Sequence, residues 1–308
     1  MLSWNQLSPD LPNPTWRMDK DSRSTHSFTG EQFALMHAYV PEHIPALMTA
    51  ISQAAPFFIE DYLGFAKDNW VIFVGYPLET PFEATQCDQR IARALELHRP
   101  DYLWFIGPEI PPSLGRSCRV RQSDWYYCLD LSQTKIRAAL EREVRQAAQA
   151  LTIHHGRAFT REHQSLVDEL MHREHLPPMI AELYRAMPAY VSQCESALVL
   201  NARDARGRLT AFFVVERAAE KFDTYVLGCH SKKHYIPHAS DLLFYEMMTD
   251  ARRRNKPAVN LGLGVNAGIR RFKTKWGGAP FLKYEFCECY YGAQEQPSML
   301  DVLLDLKL

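Results

Sequence analysis

The sequence predicts a mixed α/β fold arranged as two related lobes, and three observations carry that expectation. Two β-α-β patterns recur, one at 70–109 and one at 223–264. In each, a basic residue and a proline stand just before the second strand, Arg99-Pro100 and Lys256-Pro257. A β-hairpin pattern at 196–217 then adds antiparallel strands that β-α-β units alone would not supply. The two halves share architecture rather than sequence.

Residues 1–27, rich in Pro, Ser and Asp, predict a mobile arm, followed by an N-terminal lobe at 28–120 and a C-terminal lobe at 121–308. WVIFVGYP (70–77) and DYLWFIGPE (101–109) are apolar runs of buried-strand length. Between them, ATQCDQRIARALELH (84–98) puts Ile91, Ala94 and Leu95 on one helical face. WYYCLDL (125–131) predicts a strand, KIRAALEREVRQAAQAL (135–151) a helix of strong helix formers, and LTIHH a strand after it. EHQSLVDELMHREH (162–175) and PMIAELYRAM (178–187) predict helices parted by Pro177-Pro178. The hairpin SALVLNARDARGRLTAFFVVER turns between Asp204 and Gly207. DTYVLGC (223–229), SDLLFYEMMTDARRR (240–254) with Ser240 as N-cap, and AVNLGLG (258–264) complete the second unit. The tail SMLDVLLDLKL predicts a short amphipathic helix docking Leu300, Leu303 and Leu304 on the body.

Composition excludes several function classes. The net charge is -1, from 35 basic and 36 acidic residues, so no global field draws in DNA or other polyanions. Seven widely spaced cysteines without a Cys-x-x-Cys pair argue against a disulfide framework or zinc ribbon, and Cys287 and Cys289 read as buried apolar residues on one strand face. Reduced thiols, the lack of a signal-peptide pattern and the lack of a spanning apolar run predict a soluble, cytoplasmic protein. Histidines 230, 234 and 238 lack the carboxylate or thiolate company of a zinc site, and His154, His155, His172 and His175 read as surface residues, so no metal is expected.

The balanced charge is unevenly placed. Residues 251–284 hold nine Lys or Arg and no acid, and 224–240 hold Lys232, Lys233 and three histidines, again without an acid. If the loops after strands 223–229 and 258–264 meet above the sheet, they form a pocket that concentrates anions. GIRRFKTKWGG (268–278) interleaves Arg270, Arg271, Lys273 and Lys275 with Ile269, Phe272 and Trp276. One reading is an amphipathic turn with its cations in water; the other is a grip for an anionic ligand, which the flanking glycines favour by letting backbone approach closely.

These residues resemble a known family. Asn260-Leu261-Gly262 followed by Gly268-Ile-Arg-Arg-Phe272-Lys273-Thr-Lys-Trp276-Gly277 is similar to the C-terminal half of the Fem-type transferases. WYYCLDLS, a helix carrying Arg137, Arg142 and Arg145, and a Thr-Ile-His strand fit the same pattern. The related phosphatidylglycerol lysyltransferase domains share Ser240-Asp241-Leu and the Asn-Leu-Gly strand. The resemblance covers about 125–285. It implies two tandem GNAT-like (acyl-CoA N-acyltransferase-like) mixed-sheet lobes. It also implies transfer of an aminoacyl group from aminoacyl-tRNA to an amine or hydroxyl acceptor, whether small molecule, peptide or lipid headgroup.

By that resemblance Lys273 faces the donor's acyl end or its phosphate, and a fixed ammonium there stabilises the negative charge that aminoacyl transfer develops. Together with Lys273, His230 and Tyr235 are catalytic candidates by position. Lys232, Lys233, Arg270, Arg271 and Lys275 are expected on donor phosphates. Tyr225, Asn260, Gly262, Asn266, Phe272 and Trp276 are expected to line the pocket, with backbone amides near 228–230 as oxyanion donors. The acyl donor is a co-substrate, and no further cofactor is expected. Two alternatives stand beside this one: an acyl-CoA-dependent N-acetyltransferase, and a non-catalytic module binding an anion or a partner. Against acetyl-CoA, 232–240 lacks the glycine-rich loop that cradles a pyrophosphate, and Asp241 in the first helical turn is expected to repel an anion.

Overall fold

The computed structural model describes residues 29–292 except His175 and Pro177. The expected arm at 1–27 and the tail helix at 298–308 lie outside the described residues. The chain runs α1 (Gly30–His37), a 3-10 turn (Pro41–His43), α2 (Pro45–Ser52), β1 (Ala55–Ile59), β2 (Tyr62–Lys67), β3 (Trp70–Val74), α3 (Ala84–His98) and β4 (Tyr102–Gly107). It continues through α4 (Pro112–Gly115), β5 (Cys118–Asp130), α5 (Ala138–Ala150), β6 (Leu151–Gly156), α6 (Arg161–Arg173) and α7 (Pro178–Gln193). The last third is β7 (Ala197–Asp204), β8 (Leu209–Glu216), β9 (Phe222–His230), α8 (Ala239–Arg253), β10 (Ala258–Leu263), α9 (Ala267–Lys275) and β11 (Ala279–Tyr290).

Among the described residues all strands join one sheet in the order β1-β2-β3-β4-β11-β5-β10-β9-β8-β7-β6. Only β3/β4 and β9/β10 pair in parallel, and these are the two predicted β-α-β units, crossed over by α3 and α8. The centre of the sheet is an exchange. β5 follows the first unit in the chain yet lies against β10 of the second, and β11 follows the second yet lies against β4 of the first. β5 and β11 pair with each other along most of their lengths. The first half of the sheet is therefore completed by β11 from the far end of the chain, whereas the second half runs through residues 118–263.

Four apolar clusters cover the two faces of the two halves. α5 and α8 pack Leu140, Val144, Leu243, Phe244 and Met247 on one face of the second half. α6 and α7 pack Val167, Met187 and Tyr190 on the other, where Ile44 and Leu47 from the N-terminal segment join them. Ala34 and Val40 of that same segment enter the core of the first half. Residues 30–52 thus straddle both halves.

Several elements differ from expectation for physical reasons. α8 is capped by His238 in a left-handed conformation, and Ser240 lies inside the helix. α7 runs six residues past its expected end at 187, through Pro188, because Met187, Tyr190 and Val191 all bury on one face. β5 begins seven residues before Trp125, since Cys118–Asp124 is polar and reads as loop although β11 offers it a ladder. Cys118 and Cys287 are joined by a disulfide across these two strands, which corrects the expectation of thiols throughout; five other cysteines are free. Among the described residues no helix is long and apolar enough to cross a membrane.

Phe286 on β11 is almost fully buried in the core of the first half. We expect Phe286→Ala to lose about 3–5 kcal/mol. The strand exchange also predicts that both halves unfold together: urea titrations followed by tryptophan fluorescence and by far-ultraviolet dichroism should coincide in one transition, and two separated transitions would contradict the exchange.

Candidate active site

The site begins where the sheet opens. β9 and β10 pair only between Phe222–Thr224 and Ala258–Asn260. Beyond that point β10 bulges: Asn260 faces Cys128 and Leu263 faces Tyr126, leaving Leu261 and Gly262 opposite one residue. Gly262 adopts φ +69°, a conformation suited to glycine, and its N–H donates to the Asn260 side chain at 2.8 Å. The Asn-Leu-Gly sequence thus makes the bulge, and the bulge leaves the Leu263 carbonyl free of the β5 ladder.

α9 then lies over the opening. Asn266 caps it, its side-chain oxygen accepting from the Ile269 N–H at 2.9 Å, and Gly277 at φ +93° ends it. Ile269, Phe272, Lys273 and Trp276 recur at helical spacing and turn toward the sheet, while Arg270 and Arg271 are exposed. Phe272 packs edge-on against Phe244 of α8, and Trp276 tilts over the same ring at 4.9 Å.

Lys273 is 4% exposed. Its Nζ donates to the Leu263 carbonyl at 2.5 Å and lies 5.7 Å from the Tyr127 ring centre. Among the described residues no other hydrogen bond and no salt bridge reaches it, so two of its three ammonium N–H groups have no protein acceptor. Burial pushes its pKa down to about 7, with Asp124 acting weakly in the opposite sense.

Beside Lys273 lies a cavity of about 260 Å³ walled chiefly by Phe213, Tyr225, Gly228, His230, Phe272 and Lys273. A Cβ at Gly228 would stand 2.4 Å from the Phe213 ring and 2.7 Å from the Tyr225 hydroxyl, so close approach requires glycine there. A second cavity of about 520 Å³ adjoins it and adds Thr210, Ser231, Lys232, Tyr235, His238 and Asp241. The two share His230, Ser240 and Phe272. Burial, with help from Arg173 and Lys232, lowers the pKa of His230, which keeps its imidazole neutral at pH 7. Tyr235 is 59% exposed, its ring 6.0 Å from that of His230.

The structure brings together Lys273, His230, Tyr225, Phe272, Lys232 and Tyr235 around the paired cavities. It places other expected residues elsewhere. Lys275 is held 2.8 Å from Glu143 and 2.9 Å from Asp241, so its charge is spent inside the protein rather than on a ligand. Asp241 does not stand free to repel an anion, because Lys275, His238 at 3.2 Å and the Trp276 indole at 3.0 Å engage it. Trp276, Asn260 and Asn266 serve packing, the bulge and the cap, and none of them lines either cavity. Lys233, Arg270 and Arg271 are exposed at the periphery. Glu143, His238 and Asp241 are the only described residues that gather three metal-type donors, and the Lys275 ammonium already sits between the two carboxylates. Four contributors went unread in the sequence: Asp124 and Tyr127 on β5, and Glu169 and Arg173 on α6. Each lies about 60–150 residues from the groups it meets.

No family model matches this chain, and no curated protein matches it in sequence. Solved structures do. The C-terminal domain of a protein assigned as a lysylphosphatidylglycerol synthetase from Agrobacterium fabrum matches with a TM-score of 0.54 and 16% identity, over 90% of this chain and 93% of that one. L-PGS from Bacillus licheniformis matches at 0.51 and 16% identity, over 84% and 90%. FemX matches at 0.57 and 9% identity, over 83% and 94%. At such identities the likeness is one of fold, and FemX is among the structures that share it.

The buried amine makes a prediction about stability. Lys273 has a folded pKa of about 7 against an ordinary 10.5, so holding its proton in the folded state costs stability below pH 7 and nothing above 10.5. Lys273→Met should therefore stabilise the fold at pH 6, and the gain should shrink by up to about 1.4 kcal/mol per pH unit as pH rises from 7. Urea denaturation of both forms across pH 6–10 checks this; a gain independent of pH would show that Lys273 is not desolvated.

Proposed function

We propose that this chain is an acyltransferase that moves an aminoacyl group from aminoacyl-tRNA to an amine or hydroxyl acceptor. One observation carries the reading: a buried lysine with two unsatisfied N–H groups faces an apolar cavity that adjoins a larger polar one carrying Lys232. An ammonium held this way has no use in folding and is costly to it, which is the expected signature of a group kept for chemistry.

In the reaction the acceptor nitrogen or oxygen attacks the ester carbonyl of the donor. The carbonyl oxygen gains negative charge beside Lys273, which is already desolvated and needs no reorganisation to meet it. As charge develops, the proton affinity of the amine rises, so the cationic form is drawn in where it is needed. His230, neutral and shared by both cavities, takes the proton lost by the acceptor and returns it to the ribose oxygen as the ester bond breaks. Tyr225 and Phe213 wall off water, and Lys232 with the peripheral Arg270 and Arg271 holds donor phosphates.

An acyl-CoA donor is the second reading. It is favoured by the larger cavity's position at the N-terminal turn of α8, whose dipole suits a phosphate. Thermal shift with acetyl-CoA and with charged tRNA separates the two.

Transfer should fall about 100–1000-fold in Lys273→Ala with little change in donor binding, as measured by release of radiolabelled amino acid from charged tRNA. In the wild type, kcat/KM should decline as pH rises through about 7, where Lys273 loses its proton. Unchanged transfer in Lys273→Ala would end the enzyme reading. For tRNA binding, Arg270→Ala and Arg271→Ala should each weaken affinity for every tRNA alike and reduce the salt slope by about one.

A further inference from the structure

α6 carries Glu169 to the loop that leaves β9. Its carboxylate accepts from the backbone N–H of Lys232, from that of Lys233 at 3.3 Å and from the Ser231 hydroxyl at 2.9 Å. The Ser231 oxygen in turn accepts from the His234 N–H at 3.1 Å, which folds the loop around the carboxylate. Arg173, one turn further along α6, stands 3.7 Å from the same group. Desolvation pushes the Glu169 carboxyl up, but the bonds from Lys232, Ser231 and Lys233 outweigh it and hold the group below the ordinary carboxylate range.

Two consecutive backbone amides and a hydroxyl converging on one anionic group form the kind of concavity that binds phosphate. Here the protein supplies the anion itself. Residues 230–232 and 238–241 wall the 520 Å³ cavity, so the amides that turn to α6 are withdrawn from the space assigned to the donor's phosphates. Lys232 and His230 are among the residues that line that space.

We propose that Glu169 is a specificity-determining residue of the donor cavity. It occupies the backbone amides of Lys232 and Lys233 with an internal carboxylate, and thereby rejects donors that carry a diphosphate. The inference rests on reading this cavity as the donor site. A diphosphate concentrates its charge on adjacent phosphoryl groups and needs a close array of backbone donors, without a carboxylate beside them. A chain of phosphodiesters spreads one charge per linkage and is met by separated lysines and arginines. The loop's missing glycine fits the same account, because a loop wrapped on Glu169 has no diphosphate to approach closely.

Calorimetric titration of the full chain with inorganic pyrophosphate and with inorganic phosphate tests this. The wild type should bind pyrophosphate no more tightly than phosphate. Glu169→Ala, with its amides released, should bind pyrophosphate about tenfold more tightly than the wild type. Glu169→Gln removes the charge but keeps an acceptor, and should gain less. A wild type that prefers pyrophosphate, or a folded Glu169→Ala without a gain, overturns the proposal. Should Glu169→Ala fail to fold, Glu169→Gln decides, and no gain there overturns it equally. If phosphate binds the wild type and is lost in Lys232→Ala while pyrophosphate gains nothing in the Glu169 variants, the donor cavity stands and only the role of Glu169 falls. If neither anion binds any form, the donor cavity falls with it.

Discussion

The exchange of β5 and β11 across the middle of the sheet is the constraint on which the other features depend. β11 leaves the second unit to pair with β4 of the first and stays paired with β5, so the two halves share one hydrogen-bonded sheet rather than a side-chain interface. The exchange also builds the site. β5 links the two units in the chain, and it carries Tyr127 to the Lys273 amine and Asp124 to the Val265 N–H at 2.8 Å. β5 thus supports the buried amine and the turn into α9 from beneath.

On that floor, a chain of small local causes ends in one unusual group. Glycine at 262 permits the bulge, the bulge frees a carbonyl, and the carbonyl anchors an amine on the facing helix. The two aromatic residues of α9 lock against Phe244, so the amine is fixed from both sides. The neighbouring cation, Lys275, shows the contrast. Two residues along the same helix, it meets two carboxylates and is held strongly charged, although burial alone acts against that charge. One lysine closes an internal ion network and the other is left facing a hollow.

Much of this was legible in the sequence because it is local. The β-α-β units at 70–107 and 222–263 follow from apolar runs and 3.6-residue periodicity, and the hairpin from its Asp-to-Gly turn. The run from Asn260 to Gly277 shows its glycines and cations in one short segment. What stayed hidden depends on partners far away in the chain. β1 and β2 are short and follow no marked alternation, and the polar first half of β5 is a strand only because β11 arrives beside it. Lys273 and Lys275 look alike in sequence; Asp241 and Glu143, 34 and 132 residues before Lys275, separate their fates. Glu169 sits in an ordinary amphipathic helix, and nothing nearby in sequence announces that it caps a loop 63 residues on.

The strand exchange also dictates an order of events on the ribosome. β4 is the apolar sequence Tyr102–Gly107, fully buried, and on one side its only ladder partner is β11. Until residues 279–290 have been synthesised, the nascent first half presents an open, greasy strand edge for the time needed to translate some 170 further residues. Such an edge is the template on which chains aggregate, so the interval before β11 arrives is the most exposed stage of this fold's synthesis.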